Sequence, residues 1–195
     1  MMDALLTWFA LHFDIPVLDW IADKLWCPAL DAIMPWITLL GDGGIFWIAF
    51  SVVLICIPKY RKAGLSMGVA LLMGLILCNL TLKPLVARMR PYTFVLENYG
   101  RNIALLVSTP SDFSFPSGHT IASFEAAIAL TIHNRKLGIP ATVLACLIAF
   151  SRLYLYVHYP TDVIASVLLG SGLAILSCYL VKKGYRLWEH KKLSK

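Results

Sequence analysis

Long runs of apolar residues without a charge are the feature that most constrains this chain. Three runs lack Asp, Glu, Lys and Arg: Gly43–Pro58, Ala63–Leu82 and Val163–Val181. A helix that crosses the hydrocarbon of a bilayer needs about 20 such residues, or somewhat fewer where polar ends reach the membrane surface. These runs therefore predict transmembrane α-helices.

The composition excludes an ordinary soluble domain. The chain has 195 residues, of which 59% are hydrophobic and only 14% are charged, and its mean hydropathy is +0.74. A soluble domain carries about 25% charged residues. We therefore predict one membrane-embedded domain over residues 1–195, folded as an all-α, polytopic helical bundle.

Three further runs complete a bundle of six transmembrane helices. Thr120–Ile132 and Leu137–Val157 are interrupted by Glu125 and Arg152, respectively. The weakest run is Leu25–Leu40, which contains Asp31 and two prolines. Five helices are therefore the alternative count.

The two ends of the chain predict peripheral segments. Apolar residues at roughly helical spacing within residues 1–24 predict an interfacial helix, with a buried N-terminal turn as the alternative. The segment has no basic n-region, so we expect no removable signal peptide. Residues 182–195 form a basic tail that we expect on the cytoplasmic side.

The basic residues indicate how the helices are oriented. The net charge of +6 could indicate a nucleic-acid partner, but most basic residues lie in short clusters between apolar runs, so we predict none. The clusters at residues 59–62, 135–136 and 182–192 fall on one side of an alternating bundle. The positive-inside rule makes that side cytoplasmic. Residues 41–44, 83–118 and the corner around His158 then lie on the outer side.

Three polar stretches meet on that outer side. They are "KPLVARMRP" from Lys83, "FPSGHT" around Gly118, and "SRLYLYVHYPTD" from Ser151. Arg and Lys are suited to phosphate oxygens. Ser117 and Gly118 are typical of a helix N-terminus, where free backbone N–H groups bind anions. The basic residues and the helix N-terminus in these three stretches together predict a phosphate-binding site.

Two histidines and a carboxylate give this site a chemistry. Asp162 lies in the predicted first turn of a helix, within reach of His158 just before it. A carboxylate bonded to one imidazole nitrogen orients the ring and raises the basicity of the other nitrogen. His119 can supply the proton that a leaving oxygen needs. These roles need no cofactor and no metal, and the sequence offers no convincing metal-ligand cluster.

Together the three stretches resemble the type 2 phosphatidic acid phosphatase superfamily, whose pattern is KxxxxxxRP…PSGH…SRxxxxxHxxxD. The resemblance implies membrane-embedded, metal-independent lipid phosphatases, commonly with an extracytoplasmic active site. By position it implies a nucleophile at His158, oriented by Asp162, and a general acid at His119. It implies phosphoryl-oxygen contacts from five residues: Lys83, Arg90, Ser117, Gly118 and Arg152.

The predicted substrate is a lipid phosphate, with undecaprenyl diphosphate and phosphatidylglycerophosphate preferred and phosphatidic acid third. Transfer of the phosphoryl group to another lipid is an enzymatic alternative. A lipid transporter or binding protein is the non-enzymatic alternative, although binding alone needs neither histidine. The vanadate-dependent haloperoxidases share the anion pocket, but the membrane composition argues against them. The oligomeric state is left open.

Several other polar residues receive simpler interpretations. Arg88 is interpreted first as an interface anchor and second as a substrate contact. Three residues are interpreted as solvated loop charges: Arg101, Glu97 and Asp112. Glu125 is interpreted first as an interhelical contact and second as a cavity residue, because a charge in an apolar helix is costly. Interfacial positions are predicted for four aromatic residues: Trp47, Tyr154, Tyr156 and Tyr159. Burial is predicted for the five cysteines: Cys27, Cys56, Cys78, Cys146 and Cys178.

Overall fold

A computed structural model describes residues 2–193, and all the regular secondary structure in this range is helical. Ten α-helices follow one another: α1 Met2–Phe9, α2 Ile15–Leu25, α3 Pro28–Leu39, α4 Ile45–Cys56, α5 Arg61–Gly74, α6 Lys83–Val86, α7 Pro91–Tyr99, α8 Gly118–His133, α9 Arg135–Tyr154 and α10 Pro160–Leu193. Short π-helical segments join α1 to α2 (Ala10–Asp14) and α5 to α6 (Leu75–Leu82), and a 3₁₀ turn, Asp42–Gly44, precedes α4. The all-α prediction is confirmed.

Local sequence sets where the helices of the site begin. The Ser117 hydroxyl accepts a hydrogen bond from the Thr120 N–H, and the Asn134 side chain accepts one from the Leu137 N–H. These contacts satisfy amide groups that a helix start leaves unpaired. Pro160 is the first residue of α10, where its missing N–H costs nothing. The predicted helix N-terminus at Ser117 and Gly118 is confirmed, and Asp162 lies in the first turn of α10 as predicted.

Helix α8 lies at the centre of the bundle and packs against α5, α9 and α10. Its buried residues include Phe124, Ala127 and Leu130, which share the main apolar core with Trp47 and Ile148 from neighbouring helices. Because α8 is surrounded, its first turn and the polar residues along it face other helices. This central position lets one helix carry site residues towards several neighbours.

The number of helices long and apolar enough to cross a membrane is smaller than predicted. The described residues contain four such helices, or five if the bent pair of α3 and α4 forms one span. The four are Ala4–Leu25, Arg61–Tyr99, Arg135–Tyr154 and Pro160–Lys192. Helix α8 has only 16 residues. The predicted count of six is therefore not confirmed, and the interfacial placement of residues 1–24 stays a prediction.

The predicted interfacial positions of four aromatic residues and the predicted burial of three cysteines are wrong. Trp47, Tyr154, Tyr156 and Tyr159 are buried; the Trp47 indole N–H, for example, donates to the Ser123 hydroxyl at 3.0 Å. Cys27, Cys56 and Cys146 are exposed on the protein surface, whereas Cys78 and Cys178 are buried as predicted. Apolar sequence alone cannot separate the core from the surface of such a bundle, because lipid-facing positions are apolar too.

Candidate active site

One cavity of about 1000 Å³ joins most of the predicted site residues. Its wall includes six of the eight: Lys83, Arg90, Gly118, His119, Arg152 and His158. The remaining two, Ser117 and Asp162, are fully buried behind this wall. The three sequence stretches therefore do meet at one end of the bundle. From there the cavity continues along apolar residues of α4 and α5, among them Ile48, Val52 and Leu71.

His158 lies between an arginine and a carboxylate. Arg90 Nη1 is 3.3 Å from His158 Nε2, and because a guanidinium only donates, Nε2 presents its lone pair. The ring proton then lies on Nδ1, which faces Ser114 Oγ at 3.5 Å and Asp162 Oδ2 at 3.6 Å. The Ser114 hydroxyl itself donates to Asp162 Oδ2 at 2.5 Å. Asp162 thus supports His158 largely through a bridging hydroxyl group.

Arg88 ties Asp162 to a second buried carboxylate. Its Nη1 donates to Asp162 Oδ1 at 2.5 Å and its Nη2 donates to Asp14 Oδ2 at 2.7 Å. Asp14 also accepts hydrogen bonds from the backbone N–H and the hydroxyl of Thr161. The guanidinium stacks over the Tyr159 ring, with 3.8 Å from Cζ to the ring centroid. The interpretation of Arg88 as an interface anchor is wrong, because Arg88 is buried in the support of His158.

The surroundings of His158 favour its neutral form. Burial is the largest cause that lowers the pKa of His158 well below its usual value, and the positive charges of Arg90, Arg152 and Lys83 lower it further. A neutral imidazole keeps a lone pair free for nucleophilic attack. The same positive charges that suit phosphate oxygens therefore also keep the ring in its nucleophilic state.

Asp112 bridges two of the predicted phosphate contacts. Its carboxylate accepts a hydrogen bond from Lys83, and it accepts one from Arg90 Nη2 at 2.5 Å. Arg90 also donates to the backbone carbonyls of Asp112 and Val157. Partial burial opposes ionisation of Asp112, but these hydrogen bonds outweigh it and lower the pKa of the carboxyl to about 2. Asp112 is 53% exposed, yet its interpretation as a purely solvated charge is wrong.

His119 faces a different acidic residue. Its Nε2 lies 2.6 Å from Asp42 Oδ1, and because a carboxylate only accepts, Nε2 carries the proton. Gly41 is required here, since a Cβ at this position would lie 2.7 Å from the His119 ring. Arg152 Nη1 lies 3.3 Å from the same ring nitrogen and donates to Thr38 Oγ1 at 2.5 Å. A proton is thus held at the cavity wall, on the second histidine.

Arg152 has an unused donor in the site. Its Nε is buried and has no hydrogen-bond partner among residues 2–193. A buried donor without an acceptor costs about 1–3 kcal/mol. Because Arg152 lines the cavity, an anion bound there is the natural acceptor for this group.

Sequence reasoning missed three carboxylates and one hydroxyl group of the site. They are Asp14, Asp42, Asp112 and Ser114. All four lie outside the matched motifs, so their types and positions carried no local signal. Ser114 and Asp112 lie within six residues of Gly118, on the segment leading to α8, and this closeness is the one hint that the sequence contained. Within residues 2–193, no group of three or more His, Cys, Asp or Glu side chains is arranged to hold a metal ion.

The family model described as the PAP2 superfamily matches residues 63–186. The chain belongs to the PAP2 superfamily. This match covers all three motif stretches and confirms the resemblance seen in the sequence.

PAP2 proteins of known name and structure share much of the chain. An undecaprenyl-diphosphatase from Sulfolobus acidocaldarius is 33% identical over 139 residues, which cover 71% of this chain and 65% of that protein's length. The crystal structure of LpxE from Aquifex aeolicus superposes with a TM-score of 0.71 at 25% identity, over 85% of this chain and 94% of that one. The crystal structure of the PAP2-type phosphatidylglycerolphosphate phosphatase from Bacillus subtilis superposes with a TM-score of 0.68 at 26% identity. The superposition covers 93% of this chain and 94% of that one.

Proposed function

We propose that this protein is an integral-membrane lipid phosphatase that works through a phosphohistidine at His158. The observation that carries the proposal is the single cavity with two histidines and three cations at one end and apolar walls beyond. Such a cavity suits an amphiphile whose phosphate lies among the cations and whose chain follows the apolar wall. The named phosphatases among the similar proteins support the same reaction class.

In the first step the Nε2 lone pair of His158 attacks phosphorus, and the bond from phosphorus to the leaving oxygen breaks. The imidazolium form of His119, which Asp42 stabilises, gives its Nε2 proton to that oxygen and becomes a neutral ring, so a neutral alcohol or a lipid monophosphate leaves. Lys83, Arg90 and Arg152 stabilise the charge on the equatorial phosphoryl oxygens. The free N–H groups at the start of α8, around Gly118, add to this stabilisation. Ser117 supports the same turn from behind the cavity wall, where its hydroxyl caps α8.

In the second step water attacks the phosphohistidine. His119, now neutral, takes a proton from the water and becomes imidazolium again, the P–N bond breaks, and orthophosphate leaves with His158 restored. Asp162, acting largely through the Ser114 hydroxyl, keeps the proton on Nδ1 through both steps and stabilises the positive charge that the ring acquires when phosphorylated. Both histidines thus return to their starting protonation states after one turnover.

The preferred substrates are undecaprenyl diphosphate and phosphatidylglycerophosphate, with phosphatidic acid third. The names of the Sulfolobus and Bacillus proteins support the first two in turn. We also infer that the site faces the extracytoplasmic side of the cell or inner membrane, with the C-terminus in the cytoplasm. The positive-inside rule supports this orientation.

The test is phosphate release by purified protein in detergent from all three lipids. We expect the wild type to release orthophosphate and to form an acid-labile phosphoprotein on brief exposure to a ³²P-labelled lipid. His158→Ala should abolish both, while His190→Ala, which removes an exposed histidine of α10, should change neither. Undiminished release by His158→Ala would exclude the nucleophile. Phosphorylation of an added acceptor lipid without release of orthophosphate would identify a phosphotransferase. Neither phosphate release nor transfer from any of the lipids would favour a transporter or binding protein.

A further inference from the structure

Glu125 is a buried carboxyl group that the proposed reaction does not use. It lies on the central helix α8, is 1% exposed, and lines the same cavity as His119 and His158. Its Oε1 has no hydrogen-bond partner among residues 2–193. The interhelical contact expected for Glu125 is therefore absent at this oxygen.

The neighbouring helix leaves room for this side chain. A Cβ built on Gly74 of α5 would lie 2.1 Å from Glu125 Oε1, so the carboxyl group packs directly against bare backbone. Any larger residue at position 74 would displace Glu125. The position of the carboxyl group is thus fixed by two helices.

Glu125 makes no ion pair, since none of the salt bridges within the described part of the chain includes it. A buried carboxylate without a cation is far costlier than a neutral carboxyl group. The neutral group has one O–H donor and a carbonyl acceptor. It can therefore bind a neutral polar group of a ligand.

The depth of Glu125 restricts which ligand group can reach it. Glu125 lies six positions after His119 on the same helix. At about 1.5 Å per residue, the Cα atoms of the two residues are about 9 Å apart along the helix axis. If the phosphate of a lipid is bound at the two histidines, the part of the lipid about 9 Å away, beside Glu125, is the beginning of its apolar chains. In an acylated lipid this part contains ester or amide carbonyls, whereas a polyprenyl chain contains only carbon and hydrogen there.

We propose that Glu125 is a specificity residue that donates a hydrogen bond to an acyl carbonyl of the substrate. This rests on the proposed function and narrows it to acylated lipid phosphates, of which phosphatidylglycerophosphate and phosphatidic acid are examples. The carbonyl satisfies the buried carboxyl group, and the carboxyl group distinguishes acyl chains from polyprenyl chains. An acyl group is a neutral acceptor, which matches the O–H donor.

The experiment compares two forms of phosphatidic acid with the same chain lengths, one with ester-linked acyl chains and one with ether-linked alkyl chains. The two differ only in the carbonyls. A net hydrogen bond contributes about 0.5–1.5 kcal/mol, so the wild type should show a KM about 2- to 10-fold lower for the ester. Glu125→Gln keeps an N–H donor and should retain this preference. Glu125→Leu should raise the KM for the ester to that for the ether.

The control variant is Glu97→Gln, which alters an exposed glutamate of α7 and should leave the ratio of the two KM values at the wild-type level. Equal KM values for ester and ether in the wild type would overturn the proposal, whatever the variants do. A Glu125→Leu protein that keeps the ester preference, or lowers kcat equally on both lipids, would also overturn it.

Failure of the proposed function gives a different result. If the wild type releases phosphate from neither of these lipids, nor from undecaprenyl diphosphate or phosphatidylglycerophosphate, the catalytic proposal fails. The ester and ether forms are then compared by displacement of a fluorescent lipid phosphate. Tighter binding of the ester, lost in Glu125→Leu, would support the carbonyl site in a binding protein. Equal displacement by ester and ether would reject it.

Discussion

Arg88 forms an ion pair with each of two fully buried carboxylates, Asp14 and Asp162. Removal of one partner from a buried ion pair leaves the other charge without compensation, at a cost of about 3–5 kcal/mol. Two carboxylates depend on this one guanidinium. The support of His158 is therefore concentrated in a residue that never touches the cavity.

We predict that Arg88→Met lowers the temperature of half-unfolding in detergent by on the order of 10 °C. The comparison is Arg101→Met, which breaks a half-exposed pair with Asp19 and should cost less than about 1 kcal/mol. Thermal unfolding of both variants measures the difference. Equal effects would mean that the buried network contributes no more than a surface pair.

The pH dependence of activity offers a second prediction. The depressed pKa of His158 keeps the ring neutral below pH 6.5, so the acidic limb of the kcat/KM profile should lie below that value. Lys83→Met removes one of the causes, so the pKa of His158 rises and the limb moves to higher pH. Profiles from pH 4.5 to 8 with one substrate measure the shift. Lys59→Met removes the same charge from an exposed position at residue 59 and should not move the limb.

Residues with a local signature could be predicted from the sequence, and their remote partners could not. His158, Asp162 and Arg90 carry motif spacing and suitable chemistry. Asp14 lies 74 residues from Arg88, and Asp42 lies 77 residues from His119. Such pairings depend on how the helices pack, which no short pattern encodes. Glu125 was recognisable as costly, but its lack of a partner became visible only in the packed bundle.

At the scale of elements, the contact between α8 and α9 depends on Gly138. A Cβ at this position would lie 2.2 Å from the Thr131 Cα, which is backbone and cannot move aside. The two helices are also linked by a contact of 3.3 Å between the hydroxyls of Thr131 and Thr142. Because α8 carries His119 and α9 carries Arg152, this contact also fixes the cavity wall.

We predict that Gly138→Ala destabilises the protein by about 1–3 kcal/mol, because the added methyl group forces the helices apart. The matched control is Gly172→Ala in α10, where a Cβ would meet no heavy atom within 4 Å. This control should be neutral or slightly stabilising, since Ala favours a helix over Gly by up to about 1 kcal/mol. Thermal unfolding in detergent compares them, and equal stabilities would contradict the close packing.

Helix starts were predictable because caps and prolines act locally, as at Ser117 and Pro160. The number of spans was harder to predict. Helix continues from Arg61 through a π-helical segment to Val86, whereas the sequence analysis ended a helix at Leu82. Helix α8 has 16 residues and is surrounded by α5, α9 and α10. A span is predicted from an apolar run about as long as a bilayer is thick, and a short helix packed among other helices does not show such a run.

At the scale of the whole molecule, the basic clusters and the site lie at opposite ends. Lys62 lies over the Tyr185 ring, at 4.7 Å from the centroid, and Ser66 contacts His133 at 2.9 Å. These contacts bring together the start of α5, the end of α8 and the last part of α10. The sequence predicts that the basic clusters near these segments lie on one side of the bundle, and in the structure the three segments are in contact.

We predict that a membrane-impermeant thiol reagent labels Thr109→Cys in intact cells and Lys62→Cys only after permeabilisation. The background replaces the three exposed native cysteines with Ala. Both positions are exposed on the protein, so sidedness and not burial decides labelling. The opposite pattern would reverse the proposed orientation and place the site in the cytoplasm.

Asp112 gives the site its own counter-ion. Lys83 and Arg90 share this carboxylate, so in the proposed reaction an arriving phosphoryl group would replace Asp112 as their partner. As orthophosphate leaves, Asp112 can pair with Lys83 and Arg90 again. The carboxylate therefore assists the release of phosphate and also weakens the binding of the phosphoryl group. An internal competitor of this kind favours turnover over retention, and it should make product inhibition weak for so strongly basic a pocket.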